Sequence, residues 1–168
     1  FTTINNDNNS SNFVGTNRDM SRWGQNDFSL GAGRYSQNDK LLYYTDGNAT
    51  GGDVAARTWH GQALPYNQDW TVQVDVNVPA LTMPNVDSLV AAGLIVFNQD
   101  DPDDSALVSL ARMNDNGTLS HAFQAYMDVN DSEVLSRTDP TSSTHATVRL
   151  RWNASDKKLY YEYDADGA

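Results

Sequence analysis

Hydrophobic and polar residues alternate strictly from Trp70 to Val78. Every second residue of this segment is apolar, and the residues between are Thr, Gln, Asp and Asn. Successive side chains of a β-strand point to opposite faces. The alternation therefore predicts a strand with one buried face and one solvated face. Pro79 lacks the backbone N–H that a sheet requires, so we expect the strand to end before it.

Other short apolar runs recur along the chain and are separated by clusters of Asn, Asp, Gly and Pro, which favour turns. They predict further strands at 40–45, 54–60, 89–97, 106–113, 119–128, 146–152 and 158–164. The run from Leu89 to Phe97 is apolar on both alternating phases, which predicts a central strand covered on both sides. No segment keeps a helical period. The pattern predicts one all-β domain over residues 1–168, built as a sandwich or barrel.

Several segments also occur in a familiar order. They are DMSRWG (19–24), GRYSQNDKLLYYT (33–45), DWTVQVDVNV (69–78), AAGLIVFNQDDP (91–102), LSHAFQAYMD (119–128) and RLRWNASDKKLYYEYDADG (149–167). This order resembles the concanavalin A-like lectin/glucanase superfamily, in particular its laminin-G-like and carbohydrate-binding members. The resemblance implies an antiparallel jelly-roll β-sandwich of two curved sheets. It also implies a further strand after the Asp-Gly turn, where the sequence stops at Ala168. Either the sequence is truncated there or the N-terminal segment fills that place.

The composition narrows the possible partners. A net charge of −11 excludes non-specific nucleic-acid binding as the main function, because phosphate recognition needs a basic surface. The absence of cysteine excludes disulfides, thiolate zinc sites and a cysteine nucleophile. No apolar run is long enough to span a membrane.

The excess of aspartate over glutamate indicates the environment in which the protein functions. Of the 22 acidic residues only two are glutamates, and aspartate supplies the hard oxygen ligands that Ca²⁺ prefers. The chain begins at Phe1 rather than Met, which we interpret as a mature or excised segment. We therefore expect a secreted or cell-surface domain that is part of a larger extracellular protein.

An acidic loop follows the apolar run. Between Asn98 and Asp104 it places four carboxylates within five residues. Such like charges repel one another unless water screens them or a cation neutralises them. The loop is either a solvated turn or a structural Ca²⁺ site, for which the candidate ligands are Asp100, Asp101 and Asp103.

Candidate catalytic groups are few. Glycosidases of this superfamily carry carboxylates in an E-x-D-x-E spacing, and the nearest equivalent here is Glu162, Asp164 and Asp166. The third carboxylate belongs to Asp and the segment runs into a Gly turn, which favours a solvated strand end. His121, with Tyr126 nearby, is either a lyase-type base or a structural histidine. We expect a non-catalytic domain, with a glycoside hydrolase or lyase as the less favoured alternative.

Candidate ligand-binding residues combine flat aromatic rings with amide and guanidinium groups, as sugar rings require. Alternation places Arg57 with Trp59 on one face, and Gln124 with Tyr126 on another, while Arg112 lies on a third strand. These residues predict a lectin-like face for a neutral or weakly charged polysaccharide, because the net charge repels polyanions. The alternative is a structural or adhesive module without a sugar pocket.

Overall fold

The structure is a computed structural model of the chain. It describes backbone and side chains at 64–80, 83, 87–98, 100–101 and 103–165, and backbone alone at 2–3, 28–30, 33–37, 41–45 and 55–57. The chain divides into two compact units, one of residues 1–3 and 65–168 and the other of residues 4–64.

The described residues form strands and no helix. The short strands are β1 (Thr2–Thr3), β2 (Phe28–Leu30), β3 (Gly33–Gln37), β4 (Leu41–Thr45) and β5 (Ala55–Arg57). The longer strands are β6 (Trp70–Asn77), β7 (Ser88–Phe97), β8 (Ser105–Asp115), β9 (Thr118–Val129), β10 (Ser132–Thr141), β11 (His145–Asn153) and β12 (Lys158–Asp164). The all-β prediction is confirmed for this part of the chain, in which no helix could span a membrane.

Within the unit of residues 4–64, two pairs of strands are described. β2 pairs with β5, and β3 pairs with β4, both antiparallel. β4 and β5 coincide with the strands predicted at 40–45 and 54–60.

In the other unit, the first sheet has the order β1-β6-β11-β12. β1 runs parallel to β6, and the remaining pairs are antiparallel. The alternation predicted for β6 is confirmed, because Trp70 and Val76 are buried whereas Gln73 and Asp75 are exposed. Apolar residues of β6 and β11 pair across the strands, as Val74 does with Val148. One face of this sheet is therefore apolar.

The second sheet is an antiparallel meander of consecutive strands in the order β10-β9-β8-β7. β8 and β9 are joined through Asn116-Gly117, and β9 and β10 through Asn130-Asp131. All four of these turn residues have positive φ. Two central residues with positive φ make the tight turn whose twist matches that of paired strands. These two turns therefore set the register at the start of the β8–β9 and β9–β10 pairs.

The two sheets pack through their apolar faces. The ring of Phe123 in β9 stacks on the ring of Tyr163 in β12 with their centroids 3.8 Å apart. Leu110 in β8 and Leu150 in β11 are fully buried. Burying a Leu side chain contributes about 2 kcal/mol, so this interior stabilises a sandwich-like arrangement.

The prediction that the run from Leu89 to Phe97 is a central strand is wrong. It forms β7, which lies at one end of the described sheet. Leu89 and Val90 are 54% and 41% exposed. The strand buried on both faces is β8. β8 contains buried polar residues, among them Ser109 and Asn114. Its sequence is therefore less apolar than that of β7, although its side chains are more deeply buried.

The apolar pattern predicts no strand at β10. It is polar and contains Pro140, and a register irregularity interrupts it between Glu133 and Leu135. Charged residues, proline and bulges are the features that protect strands at sheet edges from further pairing. Because β10 has these features, its sequence lacks the alternation of apolar and polar residues from which the other strands are predicted.

Candidate functional site

An open depression of about 220 Å³ lies over β8, β9 and β10. Its lining residues come from all three strands and are Leu107, Gln124, Ala125, Tyr126, Ser136, Arg137 and Thr138. Gln124 and Tyr126 alternate with Phe123, so they lie on the face of the second sheet that is turned away from the first. We call this surface the Tyr126 face.

The register places the polar groups of the Tyr126 face in rows across the strands. Gln124 pairs with Ser109 on one side and with Thr138 on the other. Tyr126 similarly lies between Leu107 and Ser136. Directly paired residues share a face and lie close together. An amide, a phenol and two hydroxyl groups are thus brought to one surface.

Tyr126 presents an oriented hydroxyl group. Its O–H donates to Oδ1 of Asp128 at 3.0 Å. This hydrogen bond, with desolvation and the charges of Asp128 and Glu133, raises the pKa of Tyr126 above its usual value. The phenol therefore stays protonated and keeps its oxygen lone pairs as acceptors.

Gln124 keeps most of its hydrogen-bonding capacity. Its amide Nε2 is 3.8 Å from the thioether sulfur of Met113, which is a weak acceptor. Beside it, the Ser109 hydroxyl is buried and has no hydrogen-bond partner within the described part of the chain. The Gln124 amide lines the depression and can therefore exchange its weak contact for a hydrogen bond to a ligand.

Of the predicted ligand-binding residues, the structure brings Gln124 and Tyr126 together, as the alternation indicated. Arg112 is 9% exposed, and it pairs with His121 on the opposite, inner face. It therefore does not join Gln124 and Tyr126. Arg57 lies in β5, but its side chain lies outside the described residues, as does all of Trp59.

Ser136 and Thr138 were missed because β10 was missed. One sequence signal could have found them. Asn130-Asp131 follows the predicted strand 119–128 and is typical of a two-residue hairpin turn. A hairpin there would have predicted a partner strand whose alternate residues share a face with Gln124 and Tyr126.

The candidate catalytic groups do not assemble around the depression. His121 and Tyr126 lie on opposite faces of β9, so they do not form the base and phenol pair considered above. Glu162 lies on the other sheet and accepts hydrogen bonds from Arg149 at 2.5 Å and from Arg151 at 2.9 Å. Asp166 lies outside the described residues.

The environment of Glu162 favours its charged form. Partial burial opposes ionisation, but the hydrogen bonds and charges of Arg151 and Arg149 outweigh it and lower the pKa of Glu162. A carboxyl group with a lowered pKa is a poor general acid at neutral pH. The arrangement is that of an ion pair on a strand surface.

The acidic loop is organised by its own hydrogen bonds. Asp104 accepts from the backbone N–H of Asn130 at 2.6 Å and from the side-chain amide of Asn98 at 3.4 Å. Asp100, Asp101 and Asp103 are exposed. Within the described ranges, no group of three or more His, Cys, Asp or Glu side chains is arranged to hold a metal ion. The calcium site stays a prediction.

Comparison with protein families, with curated proteins and with solved structures finds no match to this chain.

Proposed function

We propose that the protein is a non-catalytic, lectin-like module that binds carbohydrate at the depression on the Tyr126 face. One observation supports this most: the Tyr126 ring and the Gln124 amide share an open depression with the hydroxyl groups of Ser136 and Thr138. Sugars present both apolar C–H faces and hydroxyl groups. A pocket for them needs an aromatic surface and a few polar groups that fix the orientation.

Each polar group of this surface can donate a hydrogen bond to a sugar hydroxyl or accept one from it. The Tyr126 oxygen accepts a hydrogen bond from a sugar hydroxyl, since its own proton is donated to Asp128. The Gln124 amide donates and accepts, and the hydroxyl groups of β10 do the same. An aromatic contact of this kind contributes about 1 kcal/mol beyond the area buried. The affinity for one sugar unit is therefore weak, and a polymer binds better than a monosaccharide.

The proposed architecture is the jelly-roll sandwich of secreted carbohydrate-binding modules. Its support is the pairing of β6 with β11 in antiparallel register, although four strands of the other sheet separate them in sequence. Strands that pair across an intervening segment are a feature of rolled, Greek-key β-sandwiches. In this proposal the module is one part of a larger secreted or cell-surface protein.

Affinity electrophoresis through gels that contain soluble polysaccharides tests the binding. Replacing Tyr126 with Ala should abolish the retardation that a matching neutral polysaccharide causes, because the aromatic surface and the oriented hydroxyl are both lost. Tyr66→Ala is the matched control, since Tyr66 is 82% exposed and does not line the depression. Equal retardation of the wild type and Tyr126→Ala, with unchanged thermal melts, would place any sugar site elsewhere.

A second function is supported by a different surface. The exposed apolar residues Leu89 and Val90 lie on β7 at the end of the described sheet, and such a strand can pair with another chain. This favours an adhesive module. Self-association in analytical ultracentrifugation, together with no retardation by any polysaccharide, would favour it over the lectin-like function.

A further inference from the structure

The Tyr126 end of the depression carries negative charge. Tyr126 is hydrogen-bonded to Asp128, and Glu133 is the register partner of Asp128 on the neighbouring strand. Within the described part of the chain, Oδ2 of Asp128 and the whole carboxylate of Glu133 have no hydrogen bond or ion pair. Two carboxylates beside an aromatic hydroxyl are thus available to pair with a cation.

Among the described residues, the arginine that lines the depression is already paired. Arg137 lines the depression, but its Nε lies 2.8 Å from Oδ2 of Asp139. The chain as a whole carries a net charge of −11. The local and the overall fields have the same sign, and both attract a cationic ligand to the depression.

We propose that the preferred ligand is a polysaccharide of amino sugars whose amines are free and protonated. This inference rests on the proposed function and names the ligand class of the same site. A hexosamine carries an ammonium group on a ring that also offers hydroxyl groups and C–H faces. The ring contacts Tyr126, the hydroxyl groups bind Gln124 and Thr138, and the ammonium binds Asp128 and Glu133. A neutral sugar offers these two carboxylates no opposite charge.

The size of the preference follows from exposed ion pairs. Such a pair typically contributes a factor of about two to five in affinity. With two carboxylates, a free-amine polymer should bind roughly fivefold or more tightly than the same polymer with its amines acetylated. The preference should shrink as salt is added, because exposed charges are screened.

Affinity electrophoresis with soluble chitosan and with its N-acetylated derivative of the same chain length tests this inference. The variant is Asp128→Asn together with Glu133→Gln. Its matched control is Asp87→Asn with Asp115→Asn, which removes the same charge at the opposite end of the sheet. The wild type and the control should prefer the free amine roughly fivefold or more, and the Asp128/Glu133 variant should lose most of that preference.

Each other outcome overturns a distinct statement. Equal binding of both polymers by the wild type overturns the amino-sugar inference and leaves carbohydrate binding intact. An equal loss of preference in the control variant shows that overall acidity, and not the depression, selects the cation, which also overturns the inference. If neither these polymers nor neutral polysaccharides bind, both the amino-sugar inference and the proposed carbohydrate-binding function are overturned.

Discussion

Replacing Gly93 with Ala tests the packing of β7 on β8. A Cβ atom built on Gly93 overlaps the carbonyl oxygen of Val108 and lies 2.6 Å from Cα and 2.7 Å from Cβ of Ser109. Carbon atoms in ordinary contact are about 3.5 to 4 Å apart, so one of the strands must move by about 1 Å. Val108 and Ser109 are both 1% exposed, so β8 is held on both faces. The strand that moves is β7.

The expected cost follows from these contacts. Overpacking of this kind destabilises a protein by about 1 to 3 kcal/mol. The lower entropy of an unfolded chain that has Ala in place of Gly offsets up to about 1 kcal/mol of this. We therefore expect a net loss of about 1 kcal/mol in the free energy of unfolding. For a chain of this length that corresponds to a Tm lower by roughly 2 to 4 °C.

Urea unfolding followed by tryptophan fluorescence measures the change, since Trp70 is buried in the first sheet. Ala91→Gly is the matched control, because Ala91 is exposed and shares a face of β7 with Gly93. This control removes a Cβ without relieving a contact, and should lose about 0.5 to 1 kcal/mol through backbone entropy. If Gly93→Ala proves neutral or stabilising, backbone entropy outweighs packing there and the close approach of the two strands is refuted.

Two further predictions concern charge. Glu162→Gln should lower the free energy of unfolding at pH 7 by no more than about 1 kcal/mol, because the ion pairs are partly exposed. The folded-state pKa of Glu162 is lowered, so this stabilisation is present above about pH 4.3 and is lost as the pH falls through the folded value. Urea unfolding at pH 3 and pH 7 measures this loss. The prediction is contradicted if the difference in free energy of unfolding between Glu162→Gln and the wild type is the same at both pH values. If Ca²⁺ binds at the predicted ligands Asp100, Asp101 and Asp103, the Tm should be higher in excess calcium than in chelator. An ion that binds only the folded state stabilises that state. Superimposable thermal melts would dispose of that site.

Part of the candidate site follows from sequence alone. Gln124 and Tyr126 are two residues apart on one strand, so alternation places them on one face. Arg112 belongs to another strand, and its face depends on the register between the two. The Asn116-Gly117 turn fixes that register by pairing Asp115 with Thr118. The sequence therefore held the information that separates Arg112 from Tyr126, because a two-residue turn sets which residues face each other.

The sequence by itself determined the features that act over a few residues. Alternation fixed which face of β6 is buried, and the turn at Asn116-Gly117 fixed where one hairpin reverses. The tertiary structure alone decided which strands are central and which lie at the end of the described sheet. The apolar run of β7 lies at that end, and the polar β10 completes the depression on the Tyr126 face. The reason is physical: the burial of a strand depends on its neighbours, and pairing such as that of β6 with β11 joins residues far apart in the chain.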